Sequence, residues 1–164
     1  MFNFKPDEKQ GIDAPFIEDA RADFAPYYRS RENKNINQAQ HEVLAELAKL
    51  GAGGRFVDGV FDVDGQERYG YILHFYFAGL EGVIPVVGLP IRNKTKVRVE
   101  AVRIQALLIL RDWLKASVTK QVFSPGSAVL VPYLLVDGQR TVTQFLLDEQ
   151  RMPQLPEIVI REVE

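Results

Sequence analysis

Between Arg92 and Arg98 the chain reads RNKTKVR, and four of these seven residues are cations. The run opens the longest regular pattern in the chain, Asn93 to Val122, which contains no Pro or Gly. A helix starting here presents unpaired N–H groups that carry partial positive charge, so each added cation costs some tenths of a kcal/mol unless an anion is bound. Arg92, Lys94, Lys96 and Arg98 are therefore candidate ligands for a phosphate or another anion. The competing reading is a solvated connector, paired with Asp58, Asp62, Glu67 or the acidic C-terminal tail.

A second group of candidates is carboxylate. Asp58, Asp62 and Asp64 alternate along a strand pattern, with Glu67 just beyond the turn, and oxygen ligands of this kind suit a divalent cation. Acids beside a hairpin are equally the expected solvent face. Other catalytic patterns fail. His41-Glu42 opens like the zinc motif H-E-x-x-H, but Ala45 stands where the second ligand must be. His74 lies in an aromatic strand pattern and reads as a sheet residue. Ser117, Ser124 and Ser127 have no G-x-S-x-G context. Gly51 and Gly53 follow a helix pattern, and Phe56 replaces the third glycine of a dinucleotide fingerprint. No catalytic residue, resident metal or cofactor is expected. Tyr69, Tyr71, Phe75, Tyr76 and Phe77 could stack single-stranded bases; the other reading makes Tyr71, Leu73, Phe75 and Phe77 a core face.

Composition limits the classes further. The 164 residues have ordinary apolar content and a net charge of −2, and a chain this long can bury about 69% of its extended surface. The absence of cysteine removes disulfides and thiolate chemistry. Charge is uneven: residues 1–36 carry 6 bases and 7 acids, residues 37–147 carry 12 and 10, and residues 148–164 carry 2 and 5. A mildly basic body with an acidic tail is far from the strongly basic balance of many nucleic-acid binders. Residues 1–20 lack a signal-peptide pattern and no run has the length of a membrane span, so a cytoplasmic protein without membrane association is expected.

The elements that must position these residues follow from periodicity. Residues 1–36 read as an irregular docked arm, with Pro6, Pro15 and Pro26, a short helix over Phe16–Ala25, and many aromatics. A helix over Gln38–Leu50, capped by Asn37, buries Ala39, Val43, Leu44, Leu47 and Leu50 and stops at Gly51. The period then changes to 2. Strands over Arg55–Val63, Tyr69–Phe77 and Val83–Ile91 are joined by turns at Asp64-Gly65 and at Leu80-Glu81-Gly82. Pro85 places the third strand at an edge or bulge.

The long helix is apolar on two sides, with Val99, Val102, Ala106, Leu110, Trp113 and Leu114 on one and Ala101, Ile104 and Leu108 on the other. Such a helix needs cover twice over, from the N-terminal arm or from a second copy of the chain. After Ser124-Pro125-Gly126, the run Ala128–Val136 reads as a buried strand. Thr141 and Gln144 form a capping box for a short helix. Pro153 and Pro156 end it, and Glu157–Val163 is a last edge strand.

Over residues 37–122 the order helix, three strands, helix, with Lys94 and Lys96 opening the second helix, resembles the double-stranded-RNA-binding domain. That resemblance implies duplex RNA as a ligand. The family's Gly-Pro-x-His loop is replaced by Val63-Asp64-Gly65-Gln66, and bulkier Val102, Ile104 and Leu107 stand in its small-residue helix pattern.

The expectation is a single α+β domain over residues 37–164: a body, 37–122, of N-terminal helix, three-stranded antiparallel meander and long central helix, and a C-terminal extension, 123–164, of strand and short helix. Its function is expected to be non-enzymatic binding or assembly, with a homo-oligomer, nucleic acid or another polyanion as partner. A metal-dependent enzyme or metal-binding protein using Asp58, Asp62, Asp64 and Glu67 is the alternative class, and a purely structural homo-oligomer the third.

Overall fold

The computed structural model describes residues 14–20, 34–125, 129–150 and 159–162. Helix α1, Ile36–Lys49, starts two residues before the expected Gln38. Asn35, not Asn37, is its cap. The Gln38 N–H donates to Asn35 Oδ1 at 2.8 Å, and the Asn35 N–H donates to Gln38 Oε1 at 3.1 Å. This reciprocal box satisfies two otherwise unpaired donors, which a cap at Asn37 would leave open. Gly51, at φ +82°, ends the element in the left-handed region.

Three antiparallel strands follow: β1, Ala52–Val63; β2, Gln66–Phe77; and β3, Leu80–Val87. Asp64 and Gly65 both have positive φ and join Val63 to its partner Gln66, as an Asp-Gly hairpin requires. The second turn is not Leu80-Glu81-Gly82. Phe77 pairs with Leu80, and the turn is Ala78-Gly79, both left-handed. Alanine is a poor turn marker because its Cβ crowds the backbone there, so the pattern pointed two residues too far along. A fourth strand, β4, Val159–Glu162, adds antiparallel to β1 and gives the order β3-β2-β1-β4. Pro85 thus lies on an edge strand, as expected.

Helix α2, Lys96–Phe123, packs against α1 and against β2 and β3. Among the described residues, α1 and the sheet cover much of both apolar groups. Val102, Ile104, Ala106, Leu107, Leu108, Leu110 and Leu114 are all buried, and each Leu-sized side chain contributes about 1.5–3 kcal/mol on burial. Trp113 stays at the rim, edge-on to Tyr133 at 5.5 Å. Gly88, just past β3, lets the sheet approach the helix backbone: a Cβ there would lie 2.2 Å from the Val102 oxygen.

The run Ala128–Val136 is not a strand. Its described part contains a 3₁₀ turn, Val131–Tyr133, in which Tyr133 and Leu134 donate back to Leu130 and Val131. Pro132 offers no ladder donor, and only isolated bridges, Gly82 to Leu134 and Leu135 to Thr141, touch the sheet pattern. Leu130 and Leu134 are buried while Val136 is exposed, so the segment caps the core without lying in the sheet. Helix α3, Val142–Gln150, follows the expected box, with Thr141 N–H to Gln144 Oε1 at 2.9 Å and Gln144 N–H to Thr141 Oγ1 at 3.2 Å. Of the expected Phe16–Ala25 helix, one turn over Ile17–Asp19 is seen; residues 21–25 lie outside the described residues. No helix among the described residues is long and apolar enough to cross a membrane.

Candidate anion-binding site

The chain crosses from β3 to α2 through residues 88–95, and this junction is fixed from several directions. The Gly88 N–H donates to the Tyr69 carbonyl oxygen at 2.9 Å, and Arg68 Nε donates to the Gly88 carbonyl oxygen at 2.8 Å. The Leu89 N–H donates to Oε1 of Gln105 at 3.0 Å, which satisfies this buried side chain. Thr95 caps α2 by accepting the Arg98 N–H at 3.2 Å. The Arg98 guanidinium reaches back to the Asn93 oxygen at 2.7 Å.

Against this junction lies the short segment Ala14–Ala20. The Ile17 N–H donates to the Pro90 oxygen at 2.9 Å. Glu18 offers one carboxylate oxygen to each of two successive backbone donors, Arg92 N–H at 3.1 Å and Asn93 N–H at 3.0 Å. Arg98 Nε stands 3.7 Å from the same carboxylate. These donors, the Asn93 N–H foremost, hold the Glu18 carboxyl below its usual range. Asp19 accepts from both terminal nitrogens of Arg92, Nη1 at 3.3 Å and Nη2 closer still. The Arg92 guanidinium also lies 4.8 Å from the centre of the Phe16 ring, a cation–π contact.

The four candidate cations are thus divided. The Arg92 guanidinium pairs with Asp19, and that of Arg98 with Glu18. Lys94 turns to the sheet, 3.6 Å from Glu67 and 5.0 Å from the Tyr69 ring centre. The Tyr69 phenolic oxygen, then Glu67, hold its ammonium above the ordinary value. Lys96 is exposed in the first turn of α2 and joins no ion pair among the described residues. The Glu18 carboxylate meets the bend at Arg92 and Asn93, while Thr95 caps the helix terminus. Glu18 and Asp19 escaped sequence reasoning because they stand 74 and 73 residues from Arg92. The available signal was an acidic pair two residues behind an aromatic, opposite in sign to RNKTKVR.

The carboxylate group is dispersed into separate contacts. Asp58 stands 3.5 Å from an Arg103 nitrogen. Asp62 accepts the Gly65 N–H at 2.9 Å and so closes the hairpin turn. Glu67 accepts from the Tyr69 hydroxyl and faces Lys94, and Asp64 sits within the turn. No three metal-ligating side chains converge among the described residues. Of the aromatic run, Tyr69, Tyr71 and Phe75 are buried, Phe77 is half-buried and Tyr76 is exposed, and burial pushes the Tyr71 phenol up to about 12. His41 Nδ1 lies 2.7 Å from the Asn37 oxygen on its own helix, and His74 pairs in the sheet with Arg55 and Val83. An open groove of about 450 Å³, lined by Trp113, Ser117, Lys120 and Tyr133 among others, lies toward the opposite end of α2.

Chemically, the junction offers N–H donors and two guanidinium groups to a carboxylate-sized anion. Comparison with known proteins adds no further identification: no family model, curated protein or solved structure matches the chain.

Proposed function

We propose that the chain is a non-enzymatic binding module whose junction between β3 and α2 takes an anionic ligand, and that this ligand is an acidic peptide. The observation that supports it is the seating of Glu18, one oxygen on each of two consecutive backbone N–H groups, with Arg98 and Arg92 alongside. Paired N–H donors in a bend form a concavity suited to an anion, and charge-assisted bonds to it are about twice as strong as neutral ones. A peptide is favoured over a phosphate chain because recognition extends to main chain, through Ile17 and Pro90, and to an aromatic ring, through Phe16.

The test is a two-dimensional NMR titration of the chain with hexaglutamate, duplex RNA, duplex DNA and a single DNA strand, each at two salt concentrations. Hexaglutamate is expected to shift the Arg92, Asn93 and Arg98 amide signals at millimolar concentration, less so at higher salt. Nucleic-acid binding whose logarithmic salt slope is near −3, with roughly −0.9 per phosphate contact on a duplex, and that weakens on changing Lys94 and Lys96 to Ala, would replace the peptide by a phosphate chain. Silence of these amides toward all four ligands would refute the proposal.

A further inference from the structure

The anion site is filled by the chain's own residues, and three observations distinguish that occupant from scaffold. None of residues 14–20 is buried, whereas Ala39, Val43 and Leu47 of α1 are fully so. Removing the segment therefore opens no core cavity. Of its two ion pairs, that of Asp19 with Arg92 is solvent-exposed on both sides, 51% and 49% accessible, and contributes little to stability; in the other, Glu18 is 14% accessible beside Arg98. The junction beneath it is held by bonds that do not involve it: Gly88 to Tyr69, Arg68 to Gly88, Leu89 to Gln105, and Arg98 to Thr95. The junction has supports of its own on either side of the bend, and its occupant is held by polar contacts.

We infer that Ala14–Ala20 is a built-in pseudo-ligand: it fills the acidic-peptide site in cis, and an outside peptide of the same chemistry enters only when it leaves. This rests on the proposed peptide-binding function. The chemistry is an aromatic side chain followed at the second and third positions by acids, as in Phe16-Ile17-Glu18-Asp19. The ring meets the guanidinium of Arg92, the first acid takes the two backbone donors, and the second acid takes the far side of Arg92. A tethered competitor acts at an effective concentration on the order of 1 mM. If tethered and free peptide bind alike with a Kd of about 100 μM, the tether weakens apparent affinity by about tenfold.

The experiment uses the full 164-residue chain and a fluorescein-labelled heptapeptide APFIEDA, read by fluorescence polarisation. Its hosts are the wild type, the double variant Glu18→Gln with Asp19→Asn, and that variant with Arg92→Ala and Arg98→Ala added. The double variant is expected to bind the peptide about tenfold more tightly than wild type, and the added arginine changes to abolish binding. A control peptide, APFIQNA, is expected to bind none of them. Amide hydrogen exchange supplies a second readout: Arg92 and Asn93 should exchange faster in the double variant, while the centre of α2 stays protected.

Equal affinity of wild type and double variant would overturn the pseudo-ligand while leaving the site reading standing. No binding to either at millimolar peptide would remove the site reading, and the pseudo-ligand with it. Unchanged exchange at Arg92 and Asn93 would show that Glu18 and Asp19 do not hold the segment, and equal binding of APFIQNA that carboxylates are not what is read. Either result overturns the inference.

Discussion

Replacing Gly88 by Ala probes the closest approach between the sheet and α2, at the base of the candidate site. An added Cβ would stand 2.2 Å from the Val102 oxygen and 2.7 Å from the Val102 carbonyl carbon and Cβ. Restoring even a tight 3.4 Å contact requires separation by about 1.2 Å, and two of the three obstructing atoms are helix backbone, which cannot rotate aside as a side-chain tip can. Overpacking of this kind costs about 1–3 kcal/mol, and the backbone obstruction places this case near 3. Gly53→Ala serves as the control, since nothing lies within 4 Å of its added Cβ and its φ is not in the left-handed region. Both changes restrict the unfolded chain alike, so that contribution of about 0.4–1 kcal/mol favours folding in each and cancels in their difference. Urea unfolding should show Gly53→Ala neutral or slightly stabilised. Gly88→Ala should lose about 2–3 kcal/mol, or roughly 4–12 °C in Tm for a chain of this size. Equal midpoints for the two variants would refute the close packing of β3 on α2.

Ala78 occupies the first position of the β2–β3 turn at φ +51°, so Ala78→Asn should stabilise by about 1 kcal/mol, measured as a higher urea midpoint with unchanged slope. The Asp137 carboxyl is held at about 2 by the Arg140 N–H, the Arg140 side chain and the Gln139 N–H. A folded value below the ordinary 3.8 means that the contribution of this turn is complete above about pH 4 and is lost as pH falls through 2. NMR titration should place the Asp137 midpoint near 2, and Arg140→Gln should move it upward. Because Asp58, Asp62 and Glu67 are engaged by Arg103, Gly65 and Lys94, millimolar Mg²⁺, Mn²⁺ or Ca²⁺ should leave Tm unchanged. A rise that Asp58→Asn and Glu67→Gln abolish would favour the metal-dependent alternative.

What was legible in the sequence was local. The Asp64-Gly65 turn, the Thr141–Gln144 box, the stop at Gly51 and the period change after α1 are each specified by residues a few positions apart. Their hydrogen bonds close within the same short stretch, so type and spacing suffice to find them. The burial of Tyr71, Leu73 and Phe75 follows likewise from alternation. Ala78-Gly79 and the 131–133 turn failed for a related reason, because Ala and an apolar run containing Pro132 carry weak or misleading local preferences. Tertiary structure alone decided what covers α2, since a doubly apolar helix records that it needs partners but not that α1 is one of them. It also decided the fate of the four cations. Arg92, Lys94, Lys96 and Arg98 are evenly spaced in the chain, yet one meets Asp19, one Glu67 and one Glu18, while Lys96 is exposed and joins no ion pair among the described residues. Coulomb attraction acts on distance in space, and the 74 residues between Glu18 and Arg92 leave no periodicity from which that distance can be read.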